Sequence, residues 1–200
     1  MQELVASTVH NLPWPVLTKH YLDSIGIGSD NEVRNIHRAA FERLKDIFHQ
    51  NSFEEINSDR SKLRTYAKLK REIGMEEYID SIKNINDRTA LTKIRLSNHD
   101  LMIEKGRHQG LAENQRFCPF CENKIENEQH FIMECGTYNV LRQQLLADMM
   151  EIDNGFNTLD EHEKFCFLLT TPDAGNSISK YLNRTLQIRK YLMENHKQNG

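Results

Sequence analysis

The sequence predicts an all-α fold, a helical array with one small Cys-Cys-His-Cys knuckle inserted between helices. Three observations lead there. Leucines outnumber valines twenty to five, which tilts the chain away from strand. Apolar residues recur at helical spacing along most of the chain, and no strand-period segment competes. Three cysteines and a histidine fall close together between two such helical segments. Leu, Ile, Val and Phe make up 50 of the 200 residues, above the roughly 20% below which chains stay disordered.

The elements follow in order. The first thirty residues read as a weak helix followed by breakers: Pro13-Trp14-Pro15 stops regular structure and Gly26-Ile27-Gly28 turns the chain. Trp14, the only tryptophan, is expected to anchor this stretch on the core. Ser29-Asp30-Asn31-Glu32 reads as a capping box, opening a helix with Val33, Ile36, Ala40, Leu44, Ile47 and Phe48 on one stripe. Asn57-Ser58-Asp59 marks a linker or cap. Leu63, Tyr66, Leu69 and Ile73 then predict a helix ending at Gly74.

Tyr78, Ile79, Ile82 and Ile85 predict a short helix, with a turn over Asn84 to Asp87. Ala90, Leu91 and Ile94 form the face of the next helix. Leu101 and Ile103 belong to its continuation or to a separate short one, and Gly106 and Gly110 bracket a loop. Beyond the cysteines, Leu141, Leu145, Leu146 and Met149 predict an amphipathic helix. Thr158 to Glu161 reads as a second capping box ahead of Phe165, Leu168 and Leu169. Thr171-Pro172-Asp173 breaks the chain. Ile178, Leu182, Leu186 and Leu192 predict a last helix with a frayed polar tail after Asn195. Three regions are expected: an N-terminal helical segment over 1–58, a helical region over 59–151 with the knuckle at 116–136, and a C-terminal helical pair over 152–200.

Several classes are excluded early. The longest apolar run, Phe165 to Leu169, is far short of the roughly 18 residues a membrane helix needs. Met1 to His10 does not read as a secretory signal, so an intracellular protein of cytoplasm or nucleus is expected. Four cysteines in such a chain suggest free thiols or a metal before disulfides. A net charge of −3 argues against a strongly basic nucleic-acid binder. The charge is uneven, however: net −4 over 1–59, +5 over 60–116, −7 over 117–170 and +3 over 171–200. The basic segment reads either as a surface facing a polyanion or as solvated helix faces paired with acidic neighbours.

The chemistry is carried by Cys118-Pro119-Phe120-Cys121, His130 and Cys135, spaced C-x2-C-x8-H-x4-C. Two cysteines three apart fold a tight knuckle that aims both sulfurs at one point, and Pro119 presets the turn. His130 and Cys135 are compatible with ligands about one helical turn apart, or on a short loop. Three thiolates and one imidazole form a closed tetrahedral set suited to Zn²⁺. A closed set leaves no position for water, so a structural zinc knuckle is expected and a hydrolytic metal is not. The ligand loop is polar (Glu122, Asn123, Lys124, Glu126, Asn127, Glu128, Gln129) and needs such a staple. Cys166 reads as a small core residue, His108 as the one competitor for a ligand position, and the other histidines as ordinary.

A family resemblance attaches to residues 61–145. Its words are Lys62-Leu63-Arg64-Thr65-Tyr66, Lys70, Gly74, Glu77-Tyr78, Arg88, Leu91-Thr92 and Arg95-Leu96-Ser97-Asn98-His99. They continue with Leu101, Ile103-Glu104-Lys105-Gly106-Arg107, Arg116, Cys118, Cys121, Glu126, Glu128, His130-Phe131, Cys135, Tyr138, Arg142 and Leu145. Together they resemble the segment downstream of the polymerase domain in non-LTR (LINE-type) retrotransposon reverse transcriptases, including its zinc-binding region. The family tends to place an aromatic where His108 stands. No Asp-Asp pair occurs, so the Tyr/Phe-x-Asp-Asp word that holds the polymerase magnesium ions is missing. No endonuclease or RNase H carboxylate set is recognisable either.

The resemblance implies a non-catalytic zinc module, a truncated or domesticated remainder of a reverse transcriptase, that assists RNA or DNA binding through residues 60–116. Lys93, Arg95, Lys105, Arg107 and Arg116 are the expected phosphate contacts. The alternative for Arg107 is an ion pair with Glu104, and for Arg116 one with Glu113. A reverse transcriptase polymerase domain is a further expected partner; a membrane or a small-molecule substrate is not. The competing reading is a zinc-stabilised structural or protein-interaction module without nucleic-acid binding, which the acidic stretch 117–170 favours.

Overall fold

The computed structural model describes residues 14–27, 33–58, 63–70 and 74–198. Those residues are mostly helical, with one two-stranded hairpin. The chain divides into two compact units, Met1–Glu55 and Ile56–Gly200.

In the first unit, helix α1 spans Trp14–Ser24. Pro15 falls in its first turn, where a missing N–H costs no helical bond, so the Pro-rich word opens a helix here instead of stopping one. The chain turns at Gly26 (φ +76°), as expected. Helix α2 runs over Val33–Asn57, and Arg43 Nε donates to the Ile25 carbonyl at 3.0 Å. The stripe expected on α2 is only partly covered: Ile36, Ala40 and Ile47 are half-buried, while Leu44 and Phe48 are exposed beside Phe41. The Trp14 side chain, the capping box at 29–32 and Asp59 lie outside the described residues.

The second unit begins with α3 (Arg64–Leu69), which ends at an extended Lys70, short of the expected stop at Gly74. Residues 71–73 lie outside the described residues. A single turn, α4 (Tyr78–Ser81), delivers Ile82 in extended conformation into the core. Asn84 caps α5 (Ile85–Arg95): its side chain accepts from the Asn86 and Asp87 amides at 2.9 and 3.3 Å. Ala90, Leu91 and Ile94 are buried, as their spacing predicts.

Helix α6 (Met102–His108) is separate from α5 and runs through Gly106; the loop begins only near Gly110, whose φ of +74° ends it. Gly106 has another task. A Cβ there would come within 2.7 Å of Arg116 Cγ, so glycine is what lets the Arg116 side chain cross α6.

Strands β1 (Phe117–Cys118) and β2 (Cys121–Ile125) form an antiparallel hairpin that strand-period reading missed, being too short for a period to register. After the knuckle come α7 (Asn139–Ile152), α8 (Glu161–Thr170) and α9 (Gly175–Gln198). The cap of α8 is Asp160 paired with Glu163, two residues beyond the expected Thr158–Glu161 box. Aspartate is at least as good a cap as threonine, and Thr158 instead closes a short turn on the Gly155 carbonyl.

Helix α9 unites the unit. It lies along α5 and also packs on α7 and α8. Its buried face carries Ile178, Tyr181, Leu182, Thr185 and Arg189. Regions 59–151 and 152–200, separate in the sequence reading, therefore share one core: Leu91, Ile94, Phe131, Leu145, Leu168 and Leu182 belong to a single cluster. Among the described residues no helix is long and apolar enough to cross a membrane.

Gly106→Ala is expected to lower unfolding stability by about 1–3 kcal/mol, because Arg116 is pinned and cannot move aside cheaply. Urea denaturation checks this, and an unchanged midpoint would count against the close approach of Arg116.

Candidate metal centre

The knuckle is built from two local structures. The hairpin pairs Cys118 with Cys121 across a Pro119-Phe120 turn, which puts both sulfurs on one side. Beyond it, Asn127 Oδ1 accepts from the His130 amide at 2.8 Å and starts a wide π-type turn over His130–Glu134. The Cys135 amide closes that turn on the His130 carbonyl at 2.8 Å. A five-residue separation is the reach of a π turn, so the x4 spacing brings imidazole and thiol to the same point.

The four side chains converge. One ligand atom from each of Cys118, Cys121, His130 and Cys135 lies within 4.8 Å of all the others, a group that could hold a metal ion. Cys118, His130 and Cys135 are buried and Cys121 is half-buried. The Cys135 sulfur lies 4.0 Å from that of Cys118 and 3.6 Å from that of Cys121. Neither is a disulfide.

The donor set fits a metal on a further observation. His130 Nε2 is buried and has no hydrogen-bond partner among the described residues, while Nδ1 lies 3.4 Å from Glu134 Oε2. One nitrogen is therefore oriented by a carboxylate while the other remains open for coordination. The sulfurs share charge unequally. A hydrogen bond from Cys118 lowers the Cys135 thiol's pKa, with His130 adding to it, whereas the same bond and burial raise that of Cys118. Of this pair, Cys135 is the sulfur held more readily as thiolate.

Buried charges tie this centre to the helices. Glu126, 1% exposed, accepts from Arg189 Nε and Nη2 at 2.8 and 2.7 Å and from the Met102 amide at 2.6 Å. One carboxylate thereby joins the knuckle to α9 and to the start of α6. Glu128 accepts from Arg64 at 2.6 Å and from the Ser97 hydroxyl at 3.1 Å, and pairs with His99 Nε2 at 2.9 Å. Ser97 adopts φ +50°, and its oxygen also accepts from the Thr65 amide. Arg142 donates to the Ile132 and Cys135 carbonyls, satisfying the π turn from α7. Tyr138 stacks edge-on to Phe131 with ring centroids 4.9 Å apart.

The expected phosphate contacts divide. Lys93 is exposed on α5 and Lys105 is half-buried on α6. Arg95 is not a surface group. It is 4% exposed, donates to the Leu169 carbonyl and to Glu76, and lies over the Tyr78 ring. Arg116 donates to the Leu111 and Ile103 carbonyls at 2.9–3.1 Å, not to Glu113. Arg107 gives two donors to Glu104, the partner its i,i+3 spacing suggested. Arg95 and Arg116 are spent inside the protein, whereas Arg107 is tied to Glu104 with its side chain 36% exposed.

Reading the residues missed Glu126, Glu128, Arg189 and His99 as structural hubs. Glu126 and Glu128 counted as loop polarity, and the isolated charge of Arg189 carries no local signal of a partner 63 residues away. No protein-family model matches the chain, and no curated protein or solved structure matches it.

Glu128 provides a pH test. Burial pushes its carboxyl upward, but the His99 ring and then the Arg64 guanidinium outweigh that and hold it well below the usual carboxylate range. A folded-state value below the unfolded one gives stability that is present above about pH 4.3 and drains away as pH falls further. Glu128→Gln removes this term, so its unfolding midpoint is expected to decline less steeply than wild type between about pH 5 and 3. Parallel declines would show that Glu128 is not held ionised.

Proposed function

We propose that residues 56–200 form a non-catalytic, zinc-stapled helical module of the reverse-transcriptase type, one that assists the handling of an RNA or DNA template or target. The observation that carries the zinc is the geometry of the donors. A tetrahedral ion with Zn–S bonds of about 2.3 Å sets its sulfurs about 3.8 Å apart, which the separations of 3.6 and 4.0 Å bracket. Zinc suits three thiolates and an imidazole better than the harder divalent ions do. Its chemistry here is structural: four protein ligands leave no place for an activated water.

The resemblance over residues 61–145 supports the reverse-transcriptase setting, with a polymerase domain as the neighbouring partner. Many of its words now have a physical meaning. Arg64, Arg95, Ser97, His99, Glu104, Gly106, Arg116, Glu126, Glu128 and Arg142 are buried or half-buried groups that bond to one another, to backbone carbonyls or, for Gly106, make room for one that does. Such a set carries a scaffold more than a binding face.

A second reading is therefore kept: a zinc-stabilised structural or protein-interaction module without nucleic-acid binding. The internal engagement of Arg95, Arg107 and Arg116 favours it.

Elemental analysis of the purified chain is expected to return about one zinc per molecule, and a chelator is expected to unfold the second unit. Cys118→Ser and His130→Ala should each lose the metal and most of the cooperative transition. A metal-free chain with an unaltered unfolding curve would contradict the proposal. Binding of single-stranded RNA or DNA that weakens steeply with salt favours the nucleic-acid reading over the second; binding that ignores ionic strength counts against it.

A further inference from the structure

Away from the sulfur cluster, a groove of about 980 Å³ opens between α5, α6 and α9. Its lining mixes cations and amides. Lys93 comes from α5, Lys105 from α6 and Lys190 from α9, and none of their side chains has an ion pair or hydrogen bond among the described residues. Arg189 also lines it, but its guanidinium is committed to Glu126. Asp100 and Glu194 bring two carboxylates to the same walls.

The wall also holds an unfinished contact. His99 lines the groove with its side chain only 1% exposed. Its Nε2 is satisfied by Glu128, whereas Nδ1 is buried without a partner among the described residues. Buried polar atoms are nearly always satisfied, so this nitrogen leaves an unmet hydrogen-bonding group in a residue that lines the groove. His108 adds an exposed ring at the rim.

We propose that this groove is a binding site for a single strand of nucleic acid, with Lys93, Lys105 and Lys190 on its phosphates and the groove amides and carboxylates on base edges. The inference rests on the nucleic-acid reading above and gives it a location. Three lysines from three helices suit a strand passing between the elements, each acting as a point charge on a phosphate. A plain polyanion would be repelled by Asp100 and Glu194. The phosphates of a nucleic acid feel the same repulsion, but its bases offset it, because carboxylates accept hydrogen bonds from exocyclic base amines, Asn98 offers both donor and acceptor, and the His108 ring can stack on a base. Recognition of unstacked bases demands a single strand, since a duplex hides those edges.

The test is fluorescence anisotropy of the full zinc-loaded chain with a short labelled single strand of mixed sequence, RNA and DNA in separate arms, over a range of salt. Lys93→Ala/Lys105→Ala/Lys190→Ala is expected to reduce the slope of log affinity against log salt by about 2 and to weaken binding about 100-fold near 0.1 M salt. Lys190→Glu alone should weaken it in the same sense, and Lys180→Ala, on α9 but outside the groove, should not. Zinc content and the unfolding midpoint verify that each variant is folded. Inorganic polyphosphate should displace the strand poorly.

If the triple variant binds as wild type does, the groove is overturned while the nucleic-acid reading stands. If wild type binds neither strand, both fall. Displacement by polyphosphate or an acidic peptide as readily as by unlabelled strand would overturn the base contacts and with them the proposal.

Discussion

Three sulfurs and an imidazole drawn to one point are what the rest of the second unit is arranged around. The stretch 122–129 between β1 and α7 is almost wholly polar, and the apolar side chains around it, such as Phe131, Ile132 and Tyr138, belong to the core shared with the helices. A hairpin of two and five residues cannot hold itself in water. The convergence of Cys118, Cys121, His130 and Cys135 supplies the missing constraint, and the hairpin and π turn deliver it. A metal in that set adds binding energy that is folding energy.

The centre is secured from outside by buried charge as well as by the core its apolar residues join. Glu126 and Glu128 leave the knuckle on either side of Asn127 and meet different partners: Arg189 on α9, and Arg64, Ser97 and His99 around the end of α5. Buried ion pairs of this kind add little net stability, yet breaking one leaves an uncompensated charge and costs about 3–5 kcal/mol. Their effect is on specificity. A helix that slid along its neighbour by one turn would strand a carboxylate, so the pairs fix how α3, α5, α6 and α9 sit around the metal set. The arginines best placed by sequence to meet phosphate are consumed in the same task.

The helices with strong periodicity were legible from sequence. Ala90, Leu91 and Ile94, then Leu145 and Met149, then Ile178 and Leu182, are buried as their spacing indicates. The convergence of Cys118, Cys121, His130 and Cys135 was legible too, because cysteine and histidine at that spacing have few other uses. Misread features share a cause, which is dependence on something distant or very short. The role of Pro15 turned on its place relative to a helix start. Gly106 is a glycine because Arg116 crosses it, ten residues on. Charge counting treated Arg95 as surface, and only the approach of the Leu169 carbonyl from α8 shows otherwise. Arg95, Ser97, Glu126 and Glu128, spelled out in the sequence as parts of longer words, are buried and bonded internally, which their neighbours in the chain do not reveal.

X-ray absorption at the zinc edge of the purified protein tests the centre most directly. A shell of three sulfurs near 2.3 Å and one nitrogen near 2.0 Å is expected, with no oxygen. A shell with fewer than three sulfurs, or with water in a fourth position, would contradict a closed structural site and the scaffold built on it.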